Sequence, residues 1–91
     1  MSRPPQRPSP GLNEFLADEV RARPYADLLL ERTLAAGRGE AVPGASGDAF
    51  YVTFGPEEIV IEHHYLEDWP LVRVPRETFL AALARHRQTL P

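Results

Sequence analysis

Residues 49–54, AFYVTF, alternate so that Phe50, Val52 and Phe54 point to one side while Tyr51 and Thr53 point to the other. Such a run is a strand with one buried face, and it commits the chain to a sheet that something else must cover. Gly55-Pro56-Glu57-Glu58 follows with turn chemistry, and Ile59-Val60-Ile61 resumes the β pattern, so the pair reads as an antiparallel hairpin. The second strand is expected to run on through Glu62, His63, His64 and Tyr65. The corner Glu67-Asp68-Trp69-Pro70 breaks it, and Leu71 to Val74 forms a third, short strand. Pro75 then serves as the first residue of a helix, where its missing N–H costs nothing.

That last helix places Phe79, Leu80, Leu83 and Leu90 within one arc, and Glu77, Thr78, Ala81, Arg85 and Gln88 on the other side. It is expected to cover one face of the sheet. Glu77 in its first turn and Arg85, His86 and Arg87 in its last suit the helix dipole.

The preceding half reads as helical. Leu12, Phe15, Leu16 and Val20 fall on one stripe of a first helix, started by Ser9 or Asn13. Arg23-Pro24 interrupts it, and a second helix runs from about Tyr25 to Ala36, with Pro24 at its first position. Tyr25, Leu28, Leu29 and Ala36 cluster on it, while Leu30 and Leu34 lie on a separate arc. The preferred expectation is that this helix packs between the first helix and the sheet. The alternative is that Leu30 and Leu34 meet a second copy in a homodimer. Residues 37–48, GRGEAVPGASGD, form a breaker-rich loop. Residues 1–11, with four prolines in MSRPPQRPSP, read as a disordered or polyproline-like tail. The whole is one α+β domain over residues 12–91, in the order α-α-β-β-β-α, with a three-stranded antiparallel sheet.

Composition narrows the chemistry. The chain of 91 residues contains no Cys, which excludes a disulfide framework, a thiolate metal site and a thiol nucleophile. No apolar run approaches the roughly 20 residues of a membrane span, and no secretory signal is evident at the N-terminus, so a soluble, cytoplasmic protein is expected. The net charge of −3 is unevenly spread. Asp48, Glu57, Glu58, Glu62, Glu67 and Asp68 carry residues 48–70 with no Lys or Arg among them, whereas Arg73, Arg76, Arg85 and Arg87 dominate the final segment. An acidic hairpin would repel phosphate, and the aromatics lack interleaved basic residues, so nucleic-acid binding is not expected.

Glu62-His63-His64 with Glu67 and Asp68 is the stretch that invites a metal or acid–base reading. On a strand, however, His63 and His64 point to opposite faces and cannot share a metal unless the strand is bulged. His86 lies on the final helix and approaches them only if the fold brings it there. No HExxH and no Gly-rich phosphate loop occurs, and Ser2, Ser9 and Ser46 sit in no strand-to-helix elbow. No catalytic residue, metal ligand or cofactor is therefore assigned. The reading favoured is a non-catalytic protein-binding module with an acidic, aromatic-containing surface built from Tyr51, Glu62, His64, Glu67, Asp68 and Trp69. The alternative is a small metal-dependent enzyme or enzyme subunit using His63 or His64 with those carboxylates.

The run YVTFGPEEIVIEHHYLEDWPLVRVPRETFLAALARH, residues 51–86, resembles the carboxyl-terminal strand-strand-strand-helix of small bacterial immunity proteins, the inhibitors of polymorphic and contact-dependent toxins. The resemblance implies a monomeric or dimeric non-enzyme that blocks a toxin, often a basic nuclease. It also implies that Glu62, Glu67 and Asp68 face the toxin's cationic site. Small acidic secretion chaperones share a similar helix-plus-sheet build.

Overall fold

The computed structural model describes residues 10 to 91. Two helices, α1 (Pro10–Glu19) and α2 (Arg23–Gly37), precede four strands, β1 (Ala45–Ser46), β2 (Phe50–Phe54), β3 (Glu58–His63) and β4 (Val72–Pro75), and α3 (Arg76–Gln88) follows. The strands form an antiparallel meander in the order β1-β2-β3-β4. The class is α+β as the patterning predicts, but the sheet has four strands. The extra one lies inside the segment expected to be only loop, where Ala45 and Ser46 pair with Val52 and Tyr51.

Register explains why one sheet face is apolar throughout. Phe50 opposes His63, Val52 opposes Ile61, and Phe54 opposes Ile59; Ile59 and Ile61 in turn oppose Val74 and Val72. Residues facing one another across strands share a side, so the alternation in each strand adds up to a single buried surface. Leu12, Phe15, Leu29, Phe79 and Leu83 from the three helices close over it and are fully buried. The opposite face carries Ser46, Tyr51, Thr53, Val60, Glu62 and Arg73, all at least partly open to solvent. Two layers result, with every helix on the same side.

Several boundaries depart from the expectations, each for a local reason. The first helix starts at Pro10, so Pro10 and Gly11 belong to the domain. Residues 1–9, which carry the rest of the expected tail and the starter Ser9, lie outside the described residues, and Asn13 lies within the helix. Proline and glycine read as breakers there, yet Pro suits a first helical position and Gly11 is needed for contact: a Cβ on it would overlap Val72 Cγ2 and come 3.1 Å from Trp69 Cζ2. The second helix starts at Arg23, with Ala22 in an extended N-cap conformation and Pro24 in the first turn. Its main neighbours are α3 and β2, not α1. Leu30 packs against the core, whereas Leu34 stays 46% exposed. The buried Thr33 hydroxyl donates to the Leu29 carbonyl at 2.7 Å.

Pro75 is the last residue of β4 and the N-cap of α3, not the helix's first residue. The Arg76 N–H bonds the Glu57 carbonyl at 2.9 Å, so by antiparallel alternation Arg73 and Pro75 turn their backbone groups away from β3. A residue without an N–H and a charged one therefore occupy the outer edge of the sheet, which discourages further strand pairing there.

Contacts between distant parts tie the layers together. The Glu19 carboxylate at the end of α1 accepts the N–H groups of Ala49 and Phe50 at 3.3 Å. His86 Nε2 donates to the Val20 carbonyl at 2.6 Å, and Arg87 forks onto Asp27 across α3 and α2. The Arg87 hydrogen bonds hold the Asp27 carboxyl below its ordinary value of 3.8.

Two outcomes are expected. Gly11→Ala should destabilise the fold by about 1 to 2 kcal/mol in denaturant unfolding, because the stiff Val72 side chain leaves no room and outweighs the helix-propensity gain. For the Asp27–Arg87 pair, a folded-state pKa below the unfolded one means that the contribution is complete above about 3.8 and disappears as pH falls through the lowered value. The melting-temperature gap between wild type and Asp27→Asn should therefore be open at neutral pH and close in strong acid; a gap constant with pH would contradict this assignment.

Candidate functional site

The end of β3 and the corner that follows it gather most of the residues singled out from the sequence. Alternation separates the two histidines as expected. His63 shares the apolar side with Phe50, their rings 4.8 Å apart and edge to face. His64 lies with the open face, where its Nε2 shares a 3.0 Å hydrogen bond with the Ser46 hydroxyl and its ring stands 6.3 Å from Tyr51. Tyr51 opposes Glu62 across β2 and β3. Tyr51, Glu62 and His64 are thus brought together on the uncovered face.

The strand stops at His63, two residues short of the expectation, because the His63 side chain intervenes. Its Nδ1 accepts the N–H groups of Tyr65 and Leu66, each at 3.1 Å. An acceptor at Nδ1 puts the neutral ring's proton on Nε2. The His64 N–H still reaches the Ala49 carbonyl at 2.7 Å, and the Trp69 N–H closes the corner onto the Leu66 carbonyl at 3.1 Å. Side-chain capping of this kind replaces the ladder with a fixed turn.

Trp69 is not displayed outright. It is half-buried and packs against the core, its ring edge-on to Phe50 at 5.2 Å and 6.0 Å from His63. Glu67 and Asp68 beside it are exposed. Glu62, His63, Leu66, Glu67, Trp69 and Leu71 together line a shallow groove of about 380 Å³. Glu62 belongs both to this groove and to the open face, so the two surfaces are continuous. Among the described residues, the ion pairs are Arg38–Glu40, Arg73–Glu58 and Arg87–Asp27. Glu62, Glu67 and Asp68 take part in none of them.

Among the described residues, no three His, Asp or Glu side chains group to hold a metal ion. His86 makes its bond within the helical layer, to Val20, and does not join His63 or His64. The Ser46–His64 pair is not legible in the sequence, where Ser46 reads as part of the loop 37–48. It has a nucleophile–base spacing but stands exposed, with no carboxylate among the described residues hydrogen-bonded to the far side of the ring. A second cleft, of about 380 Å³, lies where Glu19, Arg21, Tyr25 and Asp48 meet β1. The Tyr25 hydroxyl there is buried without a partner; burial, and then the nearby Glu19 charge, raise its pKa above the ordinary phenol value. Acidic and basic groups are mixed in that cleft. No helix among the described residues is long and apolar enough to cross a membrane.

Because Trp69 serves the core as well as the surface, Trp69→Ala should cost about 2 kcal/mol in unfolding experiments, whereas Glu67→Arg should stay within about 0.5 kcal/mol of wild type. His63→Phe, which keeps a ring beside Phe50 but removes the acceptor, should speed amide exchange at Tyr65 and Leu66. Comparison of the chain with family models, with curated proteins and with solved structures finds no match.

Proposed function

We propose that this chain is a non-catalytic protein-binding module that neutralises or regulates a basic partner, in the manner of an inhibitor or immunity protein. The observation that carries the reading is the uncovered side of the sheet, continuous with a corner whose carboxylates have no counter-charge among the described residues. The three helices occupy the other side, so the face with Tyr51, Glu62 and His64 is left to solvent. Glu67 and Asp68 extend it, and Trp69 contributes the exposed part of its ring. Aromatic groups beside unneutralised carboxylates suit a cationic protein surface: the negative field speeds and orients encounter, and the rings supply contact area at low entropic cost.

The capping of the corner by His63 supports the same reading. A binding surface held by internal hydrogen bonds loses little freedom on association. Inhibition needs only that such a surface occlude the partner's working site, and no group in this chain then has to perform chemistry. The partner is accordingly expected to carry a cationic active or binding site.

The test is capture of the partner from a lysate of the source cell with the full chain, followed by an activity assay of the captured protein. A single near-equimolar basic protein whose activity falls on addition of the chain is the expected result. Glu67→Arg should weaken that inhibition about tenfold or more. No captured partner, or one whose activity the chain leaves unchanged, would overturn the reading.

A further inference from the structure

We infer that the groove at the β3–β4 corner is the anchor of that interface, and that it takes one arginine side chain of the partner presented between apolar neighbours. The inference rests on the binding-module reading and makes it specific.

Exposed apolar groups are concentrated here. Of the four large hydrophobic residues that are exposed among the described residues, Tyr65 (74%), Leu66 (51%) and Leu71 (48%) all lie in the stretch 65–71. Isolated exposed hydrophobics carry no message, but a cluster with a groove between its members does. Leu66 and Leu71 line the groove together with Glu62, Glu67, His63 and Trp69. Apolar walls, an aromatic side and two carboxylates thus surround one small volume.

That combination selects the occupant. A purely apolar segment would fill the walls but strip water from Glu62 and Glu67 without replacing it, which is costly. An acidic segment or a phosphate would be repelled. A cation answers both carboxylates, and the aromatic side decides between the two basic residues. A guanidinium is planar and weakly hydrated; it stacks on a ring while forking onto a carboxylate, whereas an ammonium remains a strongly hydrated point charge. Trp69 and His63, 6.0 Å apart, offer the rings, and Tyr65 adds a third 6.1 Å from His63. Apolar residues on either side of the arginine would then cover Leu66 and Leu71.

The groove is also fixed before binding. The Tyr65 and Leu66 N–H groups are held by His63, the Trp69 N–H by Leu66, and the Trp69 ring by Phe50. Little ordering remains for the partner to impose.

Trp69 is the single tryptophan of the chain and so reports directly on occupancy. The experiment is a fluorescence titration of the full chain with an acetylated, amidated Ala-Leu-Arg-Leu-Ala peptide, alongside versions with lysine or with uncharged citrulline in place of arginine. A saturable change in Trp69 emission is expected for the arginine peptide, weakening with added salt and at least about tenfold stronger than for citrulline. Glu62→Gln and Glu67→Gln should each weaken it about tenfold while leaving the melting temperature unchanged. No saturable change up to about 10 mM peptide, or equal affinity for arginine and citrulline, would overturn the inference. So would unaltered affinity in both glutamine variants. A captured partner that the chain inhibits normally despite Glu67→Gln and Leu71→Asp would remove the groove as anchor while leaving the binding-module reading standing.

Discussion

Phe50 holds the two halves of the molecule to each other. Its ring meets Phe15 of α1 edge to face at 5.4 Å, and Phe15 in turn lies 6.4 Å from Phe79 of α3. The same ring also contacts His63 and Trp69. Edge-to-face packing of this kind adds to the free energy of burial and fixes relative orientation. The helical layer, the sheet and the corner therefore share one point of contact. A change at Phe50 would be felt by the core and by the candidate site together, although Phe50 itself is buried.

Much of this organisation can be read from periodicity. Leu12, Phe15, Leu16 and Val20 are buried as a 3.6-residue stripe predicts, and Phe50, Val52, Phe54, Ile59 and Ile61 are buried as a period of two predicts. The same alternation separates His63 from His64 and unites Tyr51 with Glu62. What stays hidden depends on partners distant in sequence. Ala45 and Ser46 have no strand propensity of their own and become β1 only because Val52 and Tyr51 are beside them; the Ser46–His64 bond was hidden for the same reason. From the sequence Trp69 is open between a surface corner and a cap on the core, until Gly11 and Phe50 are placed against it. Single residues account for the remaining differences: Pro75 serves as both strand end and N-cap, and His63 ends its strand by capping the next turn.

The electrostatics of the candidate site follow from the same geometry. Where acidic residues face an arginine they are neutralised locally, as Glu58 is by Arg73 at 3.1 Å and Asp27 by Arg87. Both pairs are exposed and contribute little to stability. Their effect is on the shape of the surface potential: Glu62, Glu67 and Asp68 take part in none of these pairs, so their charge stays unscreened by a neighbouring arginine of the described residues. Charge of one sign gathered beside aromatic rings is a strong field in a small area, and its range is set by the ionic strength around it.

The division of labour around Trp69 has an evolutionary consequence. Trp69, Gly11 and Phe50 are constrained by one another, and a substitution in any of them must be tolerated by the other two. Glu62, Glu67, Asp68 and Leu71 surround the same spot but carry no comparable obligation to the interior. Lineages can therefore exchange these rim residues freely while the scaffold stays as it is. A single architecture can then carry many different surfaces at this corner, each reached by a few substitutions with no passage through a misfolded ancestor.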